Sequence, residues 1–269
     1  MSQNLSQSKK KILFDRKLLK ARRNKVASNI DDYDFLFNEV AANLRYRFSL
    51  VKKQLPDGLF IGDVKGKFSD SLEHNLGVHN IIRADLAEAF EPNIVLDEES
   101  LPFKSESFDV VLSLLTMQWV NDISKTLQEI KRVLRPNSLF IGAMLGGVTL
   151  RELRKSLMQA ELNLIGESSS RVIPFVDSYD MSQLMLRAGF DVPVVDSEII
   201  TVEYPNVNKL IDDIKGMGAT NISNGRVKKL SPKNLFAETD KIYKKNYADD
   251  KGFIPASFDI VYFTGWSRG

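Results

Sequence analysis

The residues of this 269-residue chain that could do chemistry are glycines and carboxylates placed at the ends of short apolar runs. The stretch "LFIGDVKGKFSDSL" (59–72) has the outline of a strand, a glycine turn and a helix start, with Gly62 and Gly66 bracketing Asp63, Val64 and Lys65. A turn of this kind is where a doubly wound α/β protein grips a nucleotide-like ligand. Asp85 closes the run "IIRAD", placed to accept hydrogen bonds from a ribose diol. Asp97 and Glu98 follow "NIVL", where a side-chain acceptor could meet an adenine amino group. Ser113 lies close to the end of the run "SFDVVLSLL", and Gln118 and Trp119 in "SLLTMQWVND" can wall a pocket. A single carboxylate at a strand end is more often a helix cap than a ligand. A series at successive strand ends is harder to read that way.

Other chemistries find no support. The chain has no cysteine, which removes thiolate nucleophiles, disulfides and cysteine metal sites. Its two histidines, His74 and His79, are five residues apart with no third nitrogen or sulfur ligand, and read as surface residues. No G-x-S-x-G elbow is present. A net charge of +2 provides no whole-protein basic field, so nucleic acid is not an expected partner. No apolar run approaches the roughly 20 residues that cross a bilayer, and the polar "MSQNLSQSKKK" lacks the apolar core of a secretory signal. A cytoplasmic protein of bacterial type is expected, ahead of a mitochondrial matrix one.

The candidate residues need elements to position them. From residue 58 onward, apolar runs alternate with helical stretches: "GLFIG", "FSDSLEHNL", "HNIIRAD", "NIVL", "SFDVVLSLL", "NDISKTLQEIKRVL" and "SLFIGAML". That alternation, without hairpin turns, predicts a parallel sheet with right-handed crossovers. "LRPNS" (134–138) reads as a helix stop and tight turn. Two helical segments lie beyond residue 149, then the extended "VPVVDSEIITVEY", helices near 206–216 and 232–247, and the β-like "ASFDIVYFTGW". Residues 1–13 are expected to be a flexible N-terminus and 14–269 a single domain. The basic helix "FDRKLLKARRNKVA" (14–27) reads as light packing, as a flap over a pocket, or as a surface for an acidic partner. "GMGATNISNG" (216–225) reads as a mobile loop.

The series at the strand ends resembles class I S-adenosylmethionine-dependent methyltransferases. Within them "FDRKLLKARR", "DEESLPFKSESFDVV", "QWVND", "LRAGF", "EYPNVNKLIDDIKGMGATN" and "GFIPASFDIVYFTGW" look like the methyltransferase-fold assembly factor of mitochondrial complex I and its bacterial relatives. A more distant similarity is to the biotin-pathway methyltransferase of malonyl-acyl carrier protein. The resemblance implies a Rossmann-like seven-stranded sheet with an antiparallel last strand and helical additions at the N-terminus and before the last strands. It implies S-adenosylmethionine as cofactor, and a protein client, such as a complex I subunit, hydroxylated on arginine. The other reading is a non-catalytic assembly factor that holds its client.

Carried over by position, Gly62 and Gly66 match the first and last glycines of the cofactor loop, with Asp63 between them. Asp85 matches the ribose acid, Asp97 and Glu98 the adenine side, and Ser113 a cofactor contact at the fourth strand. Gln118 stands where relatives often carry histidine, and Trp119 matches their tryptophan. Two positions depart from the pattern. Phe60 replaces the loop's usual acid, and Val64 its middle glycine, where a β-branched residue would resist positive φ. Weakened cofactor binding is expected, with Lys65 and Lys67 left to attract the methionine carboxylate. A client arginine would approach beneath the helix around Arg22 and Arg23 and the 216–221 loop, with Glu98, Asp122 or Asp212 facing its path.

Overall fold

The computed structural model describes residues 12–71 and 77–269. His74 lies outside them, as does most of the helix expected over "FSDSLEHNL", of which only a short turn at Ser69–Ser71 is described. Seven strands form one sheet: β1 (Asp57–Ile61), β2 (Asn80–Asp85), β3 (Ile94–Val95), β4 (Phe108–Leu114), β5 (Leu134–Leu145), β6 (Phe190–Tyr204) and β7 (Ile254–Ser267). Their order is β3-β2-β1-β4-β5-β7-β6. The first five strands run parallel, and β7 lies antiparallel between β5 and β6. Among the described residues seven α-helices accompany the sheet: α1 (Arg16–Val26), α2 (Phe35–Ser49), α3 (Ile123–Val133), α4 (Arg151–Ile165), α5 (Ser178–Ala188), α6 (Val207–Gly216) and α7 (Leu235–Tyr247). The expected α/β architecture, with its antiparallel last strand, is what the chain adopts.

Burial on both faces explains the unbroken apolar runs of the central strands. On β1, Leu59 and Ile61 join one core layer with Phe140 and Phe263, while Phe60 joins the other with Phe48, Val110 and Tyr262. Phe60 is fully buried and packs edge-on against Phe68, ring centroids 5.8 Å apart. Each layer is closed by amphipathic helices. In α3, Leu127, Ile130 and Val133 face the sheet, and the Asp122 carboxylate caps the start by accepting from the Lys125 amide at 3.0 Å.

Two expectations need correction. "LRPNS" is not a separate turn: β5 takes it up directly after α3, with Leu134 paired to Phe108. The bend reduces to a register shift before Leu139 and to Asn137 at φ +59°. Arg135 anchors the stretch through Asp57 and Asp109, each at 2.7 Å. Nor is 216–225 a loose loop. Ile222 is buried among Phe14, Leu19, Trp119 and Ile173, and Asn221 donates to the carbonyls of Ser170 and Arg171. Ser223 forms a β-bridge with Phe14, and the carbonyls of Ile12 and Leu13 accept from Asn224. Apolar anchors between the glycines removed the freedom that composition suggested. Among the described residues no helix is long and apolar enough to cross a membrane.

The strand order reverses between β1 and β4, and open sheets bind ligands at the carboxyl ends of strands beside such a reversal. Gly62 leaves β1 there at φ +84°, and a Cβ would collide with the Leu114 carbonyl oxygen and the Thr116 methyl. Gly62→Ala therefore combines left-handed strain with a backbone clash. It should lower stability by roughly 1–3 kcal/mol in urea unfolding, the range for backbone strain of this kind.

Candidate functional site

After Gly62, whose amide donates to the Ala84 carbonyl at 2.9 Å, the chain curls through Asp63–Lys67. The buried Asp63 carboxylate accepts from the backbone amides of Phe68 and Ser69 at 2.9 and 3.1 Å. It closes the turn on itself, and burial pushes its carboxyl above the usual range despite those bonds. Val64 does not occupy the left-handed position. That falls on Lys65 (φ +53°) and Gly66 (φ +75°), so the expected conflict between valine and positive φ does not arise. Instead the Val64 side chain is buried with Ala27, Ile30, Ala87 and Phe90.

The lysines of the turn are also engaged differently than expected. Lys65 pairs with Asp31 at 3.2 Å, and Lys67 with Asp31 at 2.5 Å and with Asp34. Burial works against the Lys67 ammonium, but the hydrogen bonds and charges of Asp31 and Asp34 outweigh it and raise its pKa above the ordinary lysine value. Both cations are thus spent within the chain on the segment leading into α2.

At the end of β2, Asp85 is 2% exposed. Its Oδ1 accepts from the Ala87 amide at 2.7 Å. Arg23 of α1 grips both oxygens, Nε to Oδ1 at 3.3 Å and Nη2 to Oδ2 at 2.6 Å. The same guanidinium lies 4.7 Å over the Phe90 ring. Beyond β3, Arg16 repeats the arrangement: Nη2 donates to Asp97 Oδ1 at 3.1 Å and to Glu98, and Nη1 to the Trp119 carbonyl at 3.2 Å. Burial pushes the Glu98 carboxyl upward while Arg16 pulls it down. On Arg16 itself, burial is opposed and outweighed by Glu98 and Asp97, so its guanidinium holds its proton more firmly than usual.

Past β4, the buried Ser113 hydroxyl pairs with the Thr116 hydroxyl at 3.0 Å. Leu115 turns the chain at φ +52°, a strained conformation for a leucine. Gln118 donates Nε2 to the Leu115 carbonyl at 2.7 Å, which turns its buried Oε1 away, with no hydrogen-bond partner among the described residues. The cavity here measures about 70 Å³ and is walled by Tyr33, Asp34, Gln118, Trp119 and Met217, with Arg23 alongside. That is well below the roughly 300–1,000 Å³ of small-molecule pockets.

Sequence-level candidates therefore divide. Gly62, Gln118 and Trp119 line the cavity, Asp85 is held by Arg23, which also lines it, and Glu98 is held by Arg16. Asp63 and Ser113 are turned to neighbouring backbone and hydroxyl groups. The acidic approach expected from Glu98, Asp122 and Asp212 is not formed. Glu98 is buried under Arg16, Asp122 caps α3, and Asp212 pairs with Lys215 at 3.2 Å on the exposed face of α6. The carboxylate that does line the cavity is Asp34. Arg16, Tyr33 and Asp34 escaped the sequence reading. The seven-residue spacing of Arg16 and Arg23, two helical turns, was the available signal that both point to one side.

A glycine turn at the reversal of strand order, with acids at the ends of the next two strands, is the arrangement of the methyltransferase class of α/β domain. The family model described as "Methyltransferase domain" matches residues 61–142. A solved phosphoethanolamine N-methyltransferase 2 of Haemonchus contortus, in complex with S-adenosyl-L-methionine, shares the fold at a TM-score of 0.56 and 16% identity, over 93% of this chain and 60% of that one. The malonyl-[acyl-carrier protein] O-methyltransferase of Halorhodospira halophila is 29% identical over 269 residues, 95% of this chain and 89% of that protein. The mouse protein named "Arginine-hydroxylase NDUFAF5, mitochondrial" is 37% identical over 266 residues, 94% of this chain and 77% of that one. The chain belongs to the NDUFAF5 family.

Because Val64 holds the turn through packing and not through strain, Val64→Gly removes a buried side chain and adds backbone freedom. Its cost should be roughly 2–4 kcal/mol, read as a lower urea midpoint.

Proposed function

We propose that this protein binds S-adenosylmethionine weakly and acts on an arginine of a protein client during assembly of respiratory complex I. The observation that carries the reading is the pair of buried carboxylates, Asp85 and Glu98, standing at the ends of β2 and β3 beside the Gly62 turn. Their chemistry fits the adenosine half of the cofactor. Asp85 would accept from the ribose hydroxyls, Glu98 and Asp97 from the adenine amino group, and the turn after Gly62 would face the remainder. When bound, the cofactor supplies a sulfonium that activates a methyl group. Gln118 Oε1 offers an acceptor to an N–H of the client, and Trp119 and Tyr33 supply flat walls for a guanidinium. Arginine hydroxylation, the activity in the relatives' name, adds an oxygen atom and so draws on an external oxidant.

The methionine half fits less well, which is the reason for weak binding. Phe60 buries a ring where a carboxylate would anchor the amino acid, and Lys65 and Lys67 are already paired. Those same features favour a second reading, in which the fold holds a client without catalysis.

Calorimetry with S-adenosylhomocysteine separates the first premise from its alternatives. Asp85→Asn should weaken binding ten-fold or more, the loss of a charge-assisted buried hydrogen bond. Mass spectrometry of complex I subunits from cells lacking the protein addresses the reaction. Loss of one oxygen's mass from an arginine supports hydroxylation, and loss of a methyl's mass supports methyl transfer. Unchanged subunit masses with failed assembly support the holding role.

A further inference from the structure

The acids assigned to the cofactor's adenosine are already occupied, and by one element. Arg23 binds both oxygens of Asp85, and Arg16 binds Asp97, Glu98 and the Trp119 carbonyl. Both arginines come from α1, seven residues apart on one side of the helix. Their side chains are only 13% and 11% exposed. Arg23 also lies over Phe90, an apolar surface beside the ribose acid where a planar group can stack. What remains of the crevice is about 70 Å³, too little for a nucleoside.

We infer that α1 is a displaceable plug: Arg23 and Arg16 hold the hydrogen-bonding positions of the adenosine subsite, and the cofactor binds only when α1 moves off the strand ends. This rests on the cofactor reading above and goes beyond it. A vicinal diol can donate two hydrogen bonds to a carboxylate as the guanidinium does, so the incoming cofactor gives Asp85 donors in place of those that Arg23 withdraws.

The plug is tied to the substrate side of the cavity. The Asp15 amide donates to the Ile222 carbonyl at 2.9 Å, and Arg22 donates to the Asn221 carbonyl at 2.8 Å. Arg23 and Val26 pack against Gly218, next to the cavity walls Met217 and Ala219. Moving α1 therefore uncovers the adenosine subsite and loosens the 217–224 wall together, so cofactor and client would each favour the open form.

An apparent dissociation constant equals the intrinsic one divided by the open fraction, so any change that opens α1 tightens binding in proportion. The test uses S-adenosylhomocysteine with the full chain and with Arg23→Gln, which still donates a neutral hydrogen bond to Asp85 and so protects folding. Calorimetry should show about ten-fold tighter binding by Arg23→Gln, as for an open fraction rising from roughly 1% to 10%. Its ligand-free melting temperature should fall by about 2–4 °C. In the wild-type chain, saturating ligand should speed amide hydrogen exchange across residues 16–26.

Each other outcome removes part of the argument. If the ligand binds and slows or leaves unchanged the exchange of 16–26, or if Arg23→Gln binds no tighter, α1 is a fixed wall and the plug is refuted while the cofactor reading stands. If neither protein binds the ligand, the cofactor reading and the plug both fall. A merely structural Arg23 would lose melting temperature and affinity together, whereas a plug loses one and gains the other.

Discussion

Two carboxylates, Asp85 and Glu98, are buried at the carboxyl ends of parallel strands, and a buried charge without a partner is among the costliest things a fold can contain. Breaking such a pair costs about 3–5 kcal/mol. That constraint organises one end of the molecule. It draws α1 across β2 and β3, sets Arg16 and Arg23 two turns apart, and brings the chain before α1 into register with Ser223. The bidentate Arg23–Asp85 geometry is the strongest form such a contact takes, and no lysine could reproduce it.

The turn after β1 is held by close backbone approach at its start and by side-chain packing beyond it. Gly62 keeps the left-handed exit from the strand because the Leu114 carbonyl leaves no room for a Cβ. Around it, polar contacts have turned inward: Asp63 to its own backbone, Lys65 and Lys67 to Asp31 and Asp34. Phe60 and Val64 are buried in two separate apolar clusters. The loop is braced by apolar packing and by ion pairs to the segment leading into α2.

Gln118 stands apart from this inward bracing. Its amide nitrogen is satisfied by Leu115, in a turn that holds a leucine at positive φ, and its buried oxygen has no hydrogen-bond partner among the described residues. Buried unsatisfied acceptors are rare in native proteins and call for an explanation. That oxygen faces a cavity also walled by Tyr33, Asp34 and Trp119.

Most of the sheet was legible in the sequence, because apolar runs bounded by turns follow from local periodicity and two-sided burial. Strand β2 ends where "IIRAD" ends, and β1 and β4 each end one residue before the close of "GLFIG" and "SFDVVLSLL". Side-chain partners were not legible, because they join residues 62, 81 and 82 positions apart whose pairing depends on where α1 is carried by the fold. The identity of Asp85 and Glu98 as acceptors is a local property, readable from residue type and position at a strand end. That Arg23 and Arg16 satisfy them, that Val64 avoids positive φ, and that 216–225 is pinned by Ile222 are tertiary outcomes. Local sequence sets which groups need a partner, and only the packed chain decides which group comes close enough to be one.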